Sequence, residues 1–535
     1  MNANEMTNKQ RKFALVAWGA TILGLILVAC AGPDTSRTVP AGAQAGDLTL
    51  EPCKFKWDDD EYEADCGTLI VPENRAKADS RLIALPVMRV RATGGSPTEP
   101  IFFLNGGPGL SNMGPKPPAL GLANHDFVMV GYRGVDGSVV LDCPEVERAR
   151  TGVGDDLLSP ESLANFAGAW AQCGARLQAE GTDLDGYTIP EVVADLEAAR
   201  AGLGYERVNL ASLSYGTRIA QIYAYLHPDR IYRSGMIAVN PPGHFIWEPK
   251  TIDAQLEYYA GLCAQDAECS ARTPDLAETM RNVAHNLPER WLFIPIDPGQ
   301  VKGVTFAQLF NRGSAALVFD AYIAAEQGDP SGLALMSFLY DLLPSGNTWG
   351  EMAAKAFSAD YDPARDYAVE MDPPDSILGS PLSLLEWSSA ASWPAQQLIP
   401  AEMRRVQPSD VETLLVSGSV DFSTPAEFAT DELLPYLTNG KQVILAEMGH
   451  VDDLLRLQPA AIERLATSFY DTGVADDSLF TYAPMDFHMS LGLPMLAKIV
   501  LGIVLLLIAV VVMVIWFIVR RIRRRMVSRR SQSAA

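Results

Sequence analysis

Val208-Asn209-Leu210-Ala211-Ser212-Leu213-Ser214-Tyr215-Gly216-Thr217 decides how the chain is read. An apolar, strand-like run breaks at small residues, and a helical pattern over 218–226 follows at once. This is the sequence form of a tight strand-to-helix turn that lifts a serine hydroxyl to the edge of a sheet. The turn crowds strand against helix, so small residues belong two positions before and two after the serine. Gly216 meets that need, whereas Ser212 stands where glycine is usual and is expected to cost the turn some freedom. If Ser212 were the nucleophile, Leu210 would occupy the crowded position, where it fits poorly; Ser214 is therefore the candidate. The plain alternative is an ordinary strand-turn-helix with two solvated serines.

Outward from this stretch, strands alternate with helices. Short β-branched runs at 69–72 and 82–90 read as an antiparallel entry to a sheet. Ile101-Phe102-Phe103-Leu104 is a buried-strand run that ends in Asn105-Gly106-Gly107-Pro108-Gly109. A glycine-rich bend after a strand can turn backbone N–H groups into a site, as an oxyanion hole requires. A strand at 127–130, helices at 160–178 and 190–203, and a strand at 235–239 continue the alternation. The pattern predicts an α/β fold, a mostly parallel sheet covered by helices on both faces, with ligands at the carboxyl ends of the strands. From 244 to 404 the alternation fails. That region reads as helical pieces (252–265, 276–287, 306–326, 331–342) with proline-rich joints, and it is expected to form a cap over the site. Strands resume at 413–416 and 442–445, and a last helix at 459–470 closes the core. The core is thus divided into 49–243 and 405–475, flanking the cap at 244–404.

A serine hydroxyl is a weak nucleophile and needs a base that a carboxylate orients. Of six histidines, His450 most clearly follows a strand, in Glu447-Met448-Gly449-His450. Asp421 follows the preceding strand in Gly418-Ser419-Val420-Asp421. The order Ser214, Asp421, His450 is that expected of an α/β-hydrolase fold. Asp452 and Asp453 are rival carboxylates, read as solvated or helix-starting residues because they lie too close to His450. In this reading Ser214 attacks an acyl carbon, His450 is base and then acid, and Asp421 holds the imidazole. The N–H of Tyr215 and one from Gly106 or Gly107 would receive the oxyanion.

The ends and the charge set the compartment. The net charge of −23 divides into +2 over 1–29, +8 over 498–535 and −33 between them. A body that acidic argues against a nucleic-acid partner. Lys9, Arg11 and Lys12 precede an apolar run at 13–29, which reads as an export signal. It ends Leu27-Val28-Ala29-Cys30, similar to a bacterial lipobox in which Cys30 is lipidated; an uncleaved signal anchor is the alternative. Residues 30–48 suit a flexible tether and 476–495 a juxtamembrane linker. A charge-free run, placed within a membrane span at 496–519, precedes the arginine-rich tail 520–535. The positive-inside rule puts that tail in the cytoplasm and the body outside. Apart from Cys30 there are Cys53, Cys66, Cys143, Cys173, Cys263 and Cys269, an even set that suits disulfides in an exported body. Six cysteines allow fifteen pairings, of which neighbour pairing is one, and none forms a metal-like Cys-x-x-Cys cluster.

With these residues placed, the chain resembles the proline iminopeptidase and tripeptidyl aminopeptidase family of α/β-hydrolases over most of 49–470. Asn105-Gly106-Gly107-Pro108-Gly109 is similar to the family's His-Gly-Gly-Pro-Gly, and Arg133-Gly134 with Gly137-Ser138 to its Arg-Gly-x-Gly-x-Ser. Ser214-Tyr215-Gly216-Thr217 matches the family's turn from the serine onward. Cys263 to Cys269 with Pro274-Asp275-Leu276 resembles the cap entry of the tripeptidyl aminopeptidase branch. Asp421 with Thr424-Pro425, and Gly449-His450, resemble that branch's C-terminal region. Three positions depart: Asn105 for histidine, Ser212 for glycine, and Gly131 for the aspartate usual before Arg-Gly. The resemblance implies a serine hydrolase that releases residues from free peptide N-termini through an acyl-enzyme, with no metal and no organic cofactor. The other readings are an esterase or amidase for small acyl substrates and a catalytically silent surface binding protein. An aminopeptidase also needs a carboxylate for the substrate ammonium, for which Glu248 and Glu257 in the cap are candidates.

Overall fold

The computed structural model describes residues 35–57, 60–113, 123–154, 156–342, 344–395 and 397–532. The expected export signal and Cys30 lie outside the described residues. Nine strands form one sheet: β1 (Leu48–Trp57), β2 (Asp60–Pro72), β3 (Leu82–Val90), β4 (Ile101–Leu104), β5 (Phe127–Val130), β6 (Val208–Leu213), β7 (Ile231–Ile237), β8 (Glu412–Gly418) and β9 (Gly440–Leu445). Their spatial order is β1-β2-β3-β5-β4-β6-β7-β8-β9. The first three pair antiparallel, β3 meets β5 antiparallel, and every pairing from β5 to β9 is parallel. Around the sheet run α1 (Pro160–Ala179), α2 (Ile189–Gly202), α3 (Tyr215–Leu226), α4 (Pro249–Gln265), α5 (Pro298–Gln308), α6 (Arg312–Glu326), α7 (Ser331–Leu342), α8 (Trp349–Asp360), α9 (Pro381–Trp387), α10 (Pro459–Thr472) and α11 (Leu493–Gln532).

The continuous apolar runs of β4, β5 and β6 follow from burial on both faces. Phe102, Leu104, Val128, Val130 and Leu210 enter one core with Trp170 of α1, Leu196 of α2 and Ile219 of α3. The alternate residues Ile101, Phe103, Phe127, Met129 and Ala211 enter another with Ile462, Leu465 and Phe469 of α10. A third core joins α4, α5, α6 and α7 through Leu256, Tyr259, Phe306, Phe319 and Leu333.

Three expectations change here. The sequence predicts one cap over 244–404, yet much of its last part, from α8 onward, belongs to the sheet's first core. All twelve residues of α8 are buried, and Trp170 stacks edge-on with Trp349 and Trp393 at 6.0 and 5.8 Å. The single helix expected over 306–326 is broken between α5 and α6, which leaves Phe310 and Asn311 in a turn. The stretch 476–495 is more than a linker, because Met485 and Phe487 are buried in the third core.

The helix that follows begins at Leu493, and Ser331 donates to the Pro494 carbonyl at 3.2 Å. Over Leu493–Ile522, thirty residues, it is long and apolar enough to cross a membrane. Disulfides join Cys53–Cys66, Cys143–Cys173 and Cys263–Cys269, with Cα–Cα distances of 5.7, 5.4 and 5.2 Å.

Candidate active site

Ser214 sits between the end of β6 and the first residue of α3 with φ 49° and ψ −119°. A residue with a β-carbon rarely adopts that conformation, and it is held only where surrounding contacts fix it. The Ser214 N–H donates to the Ile237 carbonyl of β7 at 2.9 Å. Gly216 is required by space: a β-carbon there would lie 2.2 Å from the Leu104 carbonyl oxygen. Ser212 points elsewhere. Its hydroxyl is buried and donates to the Gly235 carbonyl at 2.9 Å, so it is an ordinary strand residue and not a strained member of the turn.

Three loops at the carboxyl ends of β6, β8 and β9 bring Ser214, Asp421 and His450 together. His450 Nε2 is 3.0 Å from Ser214 Oγ, and His450 Nδ1 is 2.8 Å from Asp421 Oδ2. Asp421 is fully buried and accepts from the N–H groups of Ser423 and Thr424 at 2.9 and 3.0 Å and from the Thr424 hydroxyl at 2.7 Å. These donors fix the carboxylate's orientation towards the imidazole. The rival Asp453 is buried, not solvated: it accepts from the N–H groups of Gly449 and Arg312 at 2.8 and 2.9 Å. It braces the histidine loop against the start of α6. Asp452 is exposed and paired with Arg456.

The glycine bend lies directly beside the serine. A β-carbon on Gly106 would be 3.3 Å from Ser214 Cβ, and Gly106, Gly107 and Tyr215 line the same cavity as Ser214. Asn105 makes use of its departure from histidine: its side-chain amide donates to the Ser111 carbonyl and its N–H to Asn112 Oδ1, at 2.9 and 2.8 Å. Gly109 is held from α8, where buried Glu351 accepts its N–H at 2.5 Å while pairing with buried Lys355. Gly131 leaves room for Pro86 and Asp136, whose atoms would lie 2.6–2.7 Å from a β-carbon there. Arg133 is a structural residue, buried on Asp195 at 2.6 Å.

Residues 99–314 match the family profile described as the alpha/beta hydrolase fold. The chain has the α/β-hydrolase fold. A tripeptidyl aminopeptidase of Streptomyces coelicolor is 27% identical over 232 residues, 40% of this chain and 42% of its own length. The serine protease Hip1 of Mycobacterium bovis is 28% identical over 287 residues, 48% of this chain and 53% of its own. The chain thus spans about half the length of the curated relatives it matches. A solved serine hydrolase from Cycloclasticus zankles covers 80% of this chain and 100% of its own, at 11% identity and a TM-score of 0.35. The resemblance read from the motifs is borne out by relatives of the tripeptidyl aminopeptidase kind.

The hydrolase cavity over Ser214 has a volume of about 450 Å³ and mostly apolar walls, among them Phe245, Trp247, Phe310, Met352 and Trp387. One carboxylate in its wall escaped the sequence reading. Glu386 on α9 lines the cavity and has no hydrogen-bond or ion-pair partner among the described residues. Burial pushes its pKa up to about 8. Asn311, in the turn before α6, also lines the cavity, and its Oδ1 is buried without a partner. The cap acids named from sequence are elsewhere: Glu248 is paired with Arg365, and Glu257 is exposed on α4. The signal for Glu386 was available in Leu384-Leu385-Glu386-Trp387, a lone acid in an apolar run with no basic residue three or four positions away.

Proposed function

We propose that this chain is a membrane-tethered serine exopeptidase that releases residues from the free N-termini of peptides. The observation that carries the reading is the hydroxyl–imidazole–carboxylate line, at 3.0 and 2.8 Å, opening onto a cavity that holds an unpartnered carboxylate. Ser214 Oγ attacks the scissile carbonyl carbon as His450 Nε2 takes its proton, and Asp421 stabilises the imidazolium through Nδ1–H. The carbonyl oxygen, now an oxyanion, is received by the N–H of Tyr215 and one N–H of the Gly106–Gly107 bend; one such donor is worth about 3 kcal/mol. His450 then protonates the leaving amine, and water hydrolyses the Ser214 ester by the same steps in reverse.

The exopeptidase part rests on Glu386 and Asn311. Both offer acceptors and no partner, which suits an ammonium group with three donors, whose charge favours the ionised form of a Glu386 carboxyl that burial otherwise holds protonated at neutral pH. A neutral or blocked N-terminus gives the carboxylate nothing to pair with. Relatives named tripeptidyl aminopeptidase and serine protease support a peptidase over other hydrolases. The apolar helix from Leu493, the arginines at 520–525 and the disulfides support a body held outside the membrane with its tail in the cytoplasm.

The test is covalent labelling by a fluorophosphonate, followed by hydrolysis of peptide p-nitroanilides with free and acetylated N-termini. Wild type is expected to label and Ser214→Ala to remain unlabelled. Well-folded wild type that fails to label would favour the silent binding protein. Equal turnover of free and acetylated peptides would replace the exopeptidase with the esterase or amidase reading.

A further inference from the structure

We infer that the segment 476–492, between the body and the apolar helix, is a working part of the catalytic site: through Glu447 it sets the position of His450. The inference rests on the serine-hydrolase reading above. Glu447 lies three residues before His450 and has φ 53°, a conformation that a residue with a β-carbon keeps only when its surroundings impose it. Its surroundings are the strap. The buried Glu447 carboxylate accepts the Tyr482 hydroxyl and, at 2.6 Å, the Met485 N–H. The Glu447 N–H donates to Ser419 Oγ at 2.8 Å, which ties the same residue to the loop carrying Asp421.

Arg312 closes the cluster. Its guanidinium donates to the carbonyls of Glu447 and Ala483, at 3.2 and 2.8 Å, and its N–H shares Asp453 Oδ2 with the N–H of Gly449. The strap, the start of α6 and the histidine loop therefore move together. Tyr482 itself is 66% exposed, so apolar burial does not account for its place. The histidine's own N–H is fixed to the Phe310 carbonyl at 2.7 Å, the Met448 carbonyl accepts from the Val420 N–H at 3.1 Å and the Gly449 N–H is held by Asp453, so the loop is pinned on every side and the strap supplies the anchor of the Glu447 side chain. None of Glu447, Tyr482 and Met485 lines the substrate cavity. Loosening the strap should therefore slow the chemical step without weakening substrate binding. Because the strap runs directly into α11, attachment to the membrane and catalytic rate are linked.

The test uses the full-length protein in detergent micelles and compares wild type, Tyr482→Phe, Glu447→Gln and Glu447→Ala. We would measure the rate of fluorophosphonate labelling, kcat and KM, and hydrogen exchange over 446–450. Because small displacements of a catalytic group are costly, Glu447→Ala is expected to lower kcat and labelling roughly tenfold. Glu447→Gln keeps an acceptor oxygen and should recover part of that rate. Tyr482→Phe is expected to lose several-fold in kcat with KM unchanged, and its exposed position protects the fold should Glu447→Ala fail to fold. Wild-type kcat in Tyr482→Phe and Glu447→Gln would overturn the inference, as would a parallel loss in kcat, KM and melting temperature for Tyr482→Phe. If wild type does not label at all, the serine reading fails and exchange decides: faster exchange over 446–450 in Tyr482→Phe sustains the link, and unchanged exchange overturns it.

Discussion

Ser214 and His450 lie 3.0 Å apart, yet the chain holds them by different means. Ser214 is fixed by the sheet. Its N–H meets the adjoining strand β7, Thr217 donates back to its carbonyl at 2.6 Å, and Gly216 presses against the end of β4. The loop of His450 is held by segments outside the sheet: Phe310 between α5 and α6, Arg312 at the start of α6, and Tyr482 and Met485 in the strap. The placement of Ser214 is thus a property of local backbone geometry, and that of His450 is a property of assembly. Damage to the first should appear as lost folding, and damage to the second as lost rate.

The largest effect is expected at Gly216→Ala. The new β-carbon would meet the Leu104 carbonyl oxygen at 2.2 Å and the Asn105 carbonyl oxygen at 2.8 Å, both backbone atoms that cannot rotate away. A loss above about 4 kcal/mol, or failure to fold, is expected from thermal or urea unfolding. A wild-type midpoint would break the claim that the serine side is held by local packing.

Asp453→Ala tests the histidine side. It leaves the N–H groups of Gly449 and Arg312 without their acceptor, at a cost of about 1–3 kcal/mol for each buried donor. Turnover per labelled site should fall at least roughly tenfold, more than the stability loss alone gives at a temperature where the protein stays folded. Equal scaling of rate with folded fraction would remove the distinction between the two sides.

The same distinction explains what could be read from the sequence. The strand runs, the glycine bend and the small residues around Ser214 are local signals, and the parallel sheet follows from them. Ser214, Asp421 and His450 all follow strands, so each could be named without knowing the cap. The brace made by Asp453, the bond from Glu351 to Gly109 and the strap on Glu447 join residues far apart in sequence, and no periodicity announces them. The place of α8 and the residues after it in the sheet's core is hidden because burial of α8 on every side looks, in sequence, like any apolar helix. Glu386 is intermediate: its isolation among apolar residues is visible, but the cavity it faces is not.

Glu386 belongs to neither side, which gives it a different signature. Glu386→Gln should reduce kcat/KM for peptides with a free N-terminus roughly 10- to 100-fold, the worth of a charged hydrogen bond, and leave acetylated peptides unaffected. Stability gives a second readout. The carboxyl titrates near 4.5 when unfolded and at about 8 when folded, so the folded state holds the proton more tightly. Its contribution is therefore complete below about pH 4.5 and is lost as the pH rises through about 8. Wild type and Glu386→Gln should melt alike at low pH, with the variant melting higher above that window. An unchanged difference between pH 5 and pH 9 would show that Glu386 does not titrate in the cavity wall.

The smallest effect is expected where the serine turn departs from its usual form. If Ser212 strained the turn, Ser212→Gly would relieve it and raise both stability and kcat. The geometry argues the opposite. Ser212 ends no strand and bears no unusual backbone angle; the strain sits on Ser214, and the hydroxyl of Ser212 satisfies the Gly235 carbonyl on β7. Glycine would remove that bond, worth about 1 kcal/mol, and add backbone freedom to the unfolded chain at about 0.5–1 kcal/mol. A modest fall in melting temperature with unchanged kcat and labelling is the expected result. A faster enzyme would mean that the first small residue of the turn matters to the nucleophile after all, and that the serine side is less completely fixed by Gly216 and β7 than the contacts require.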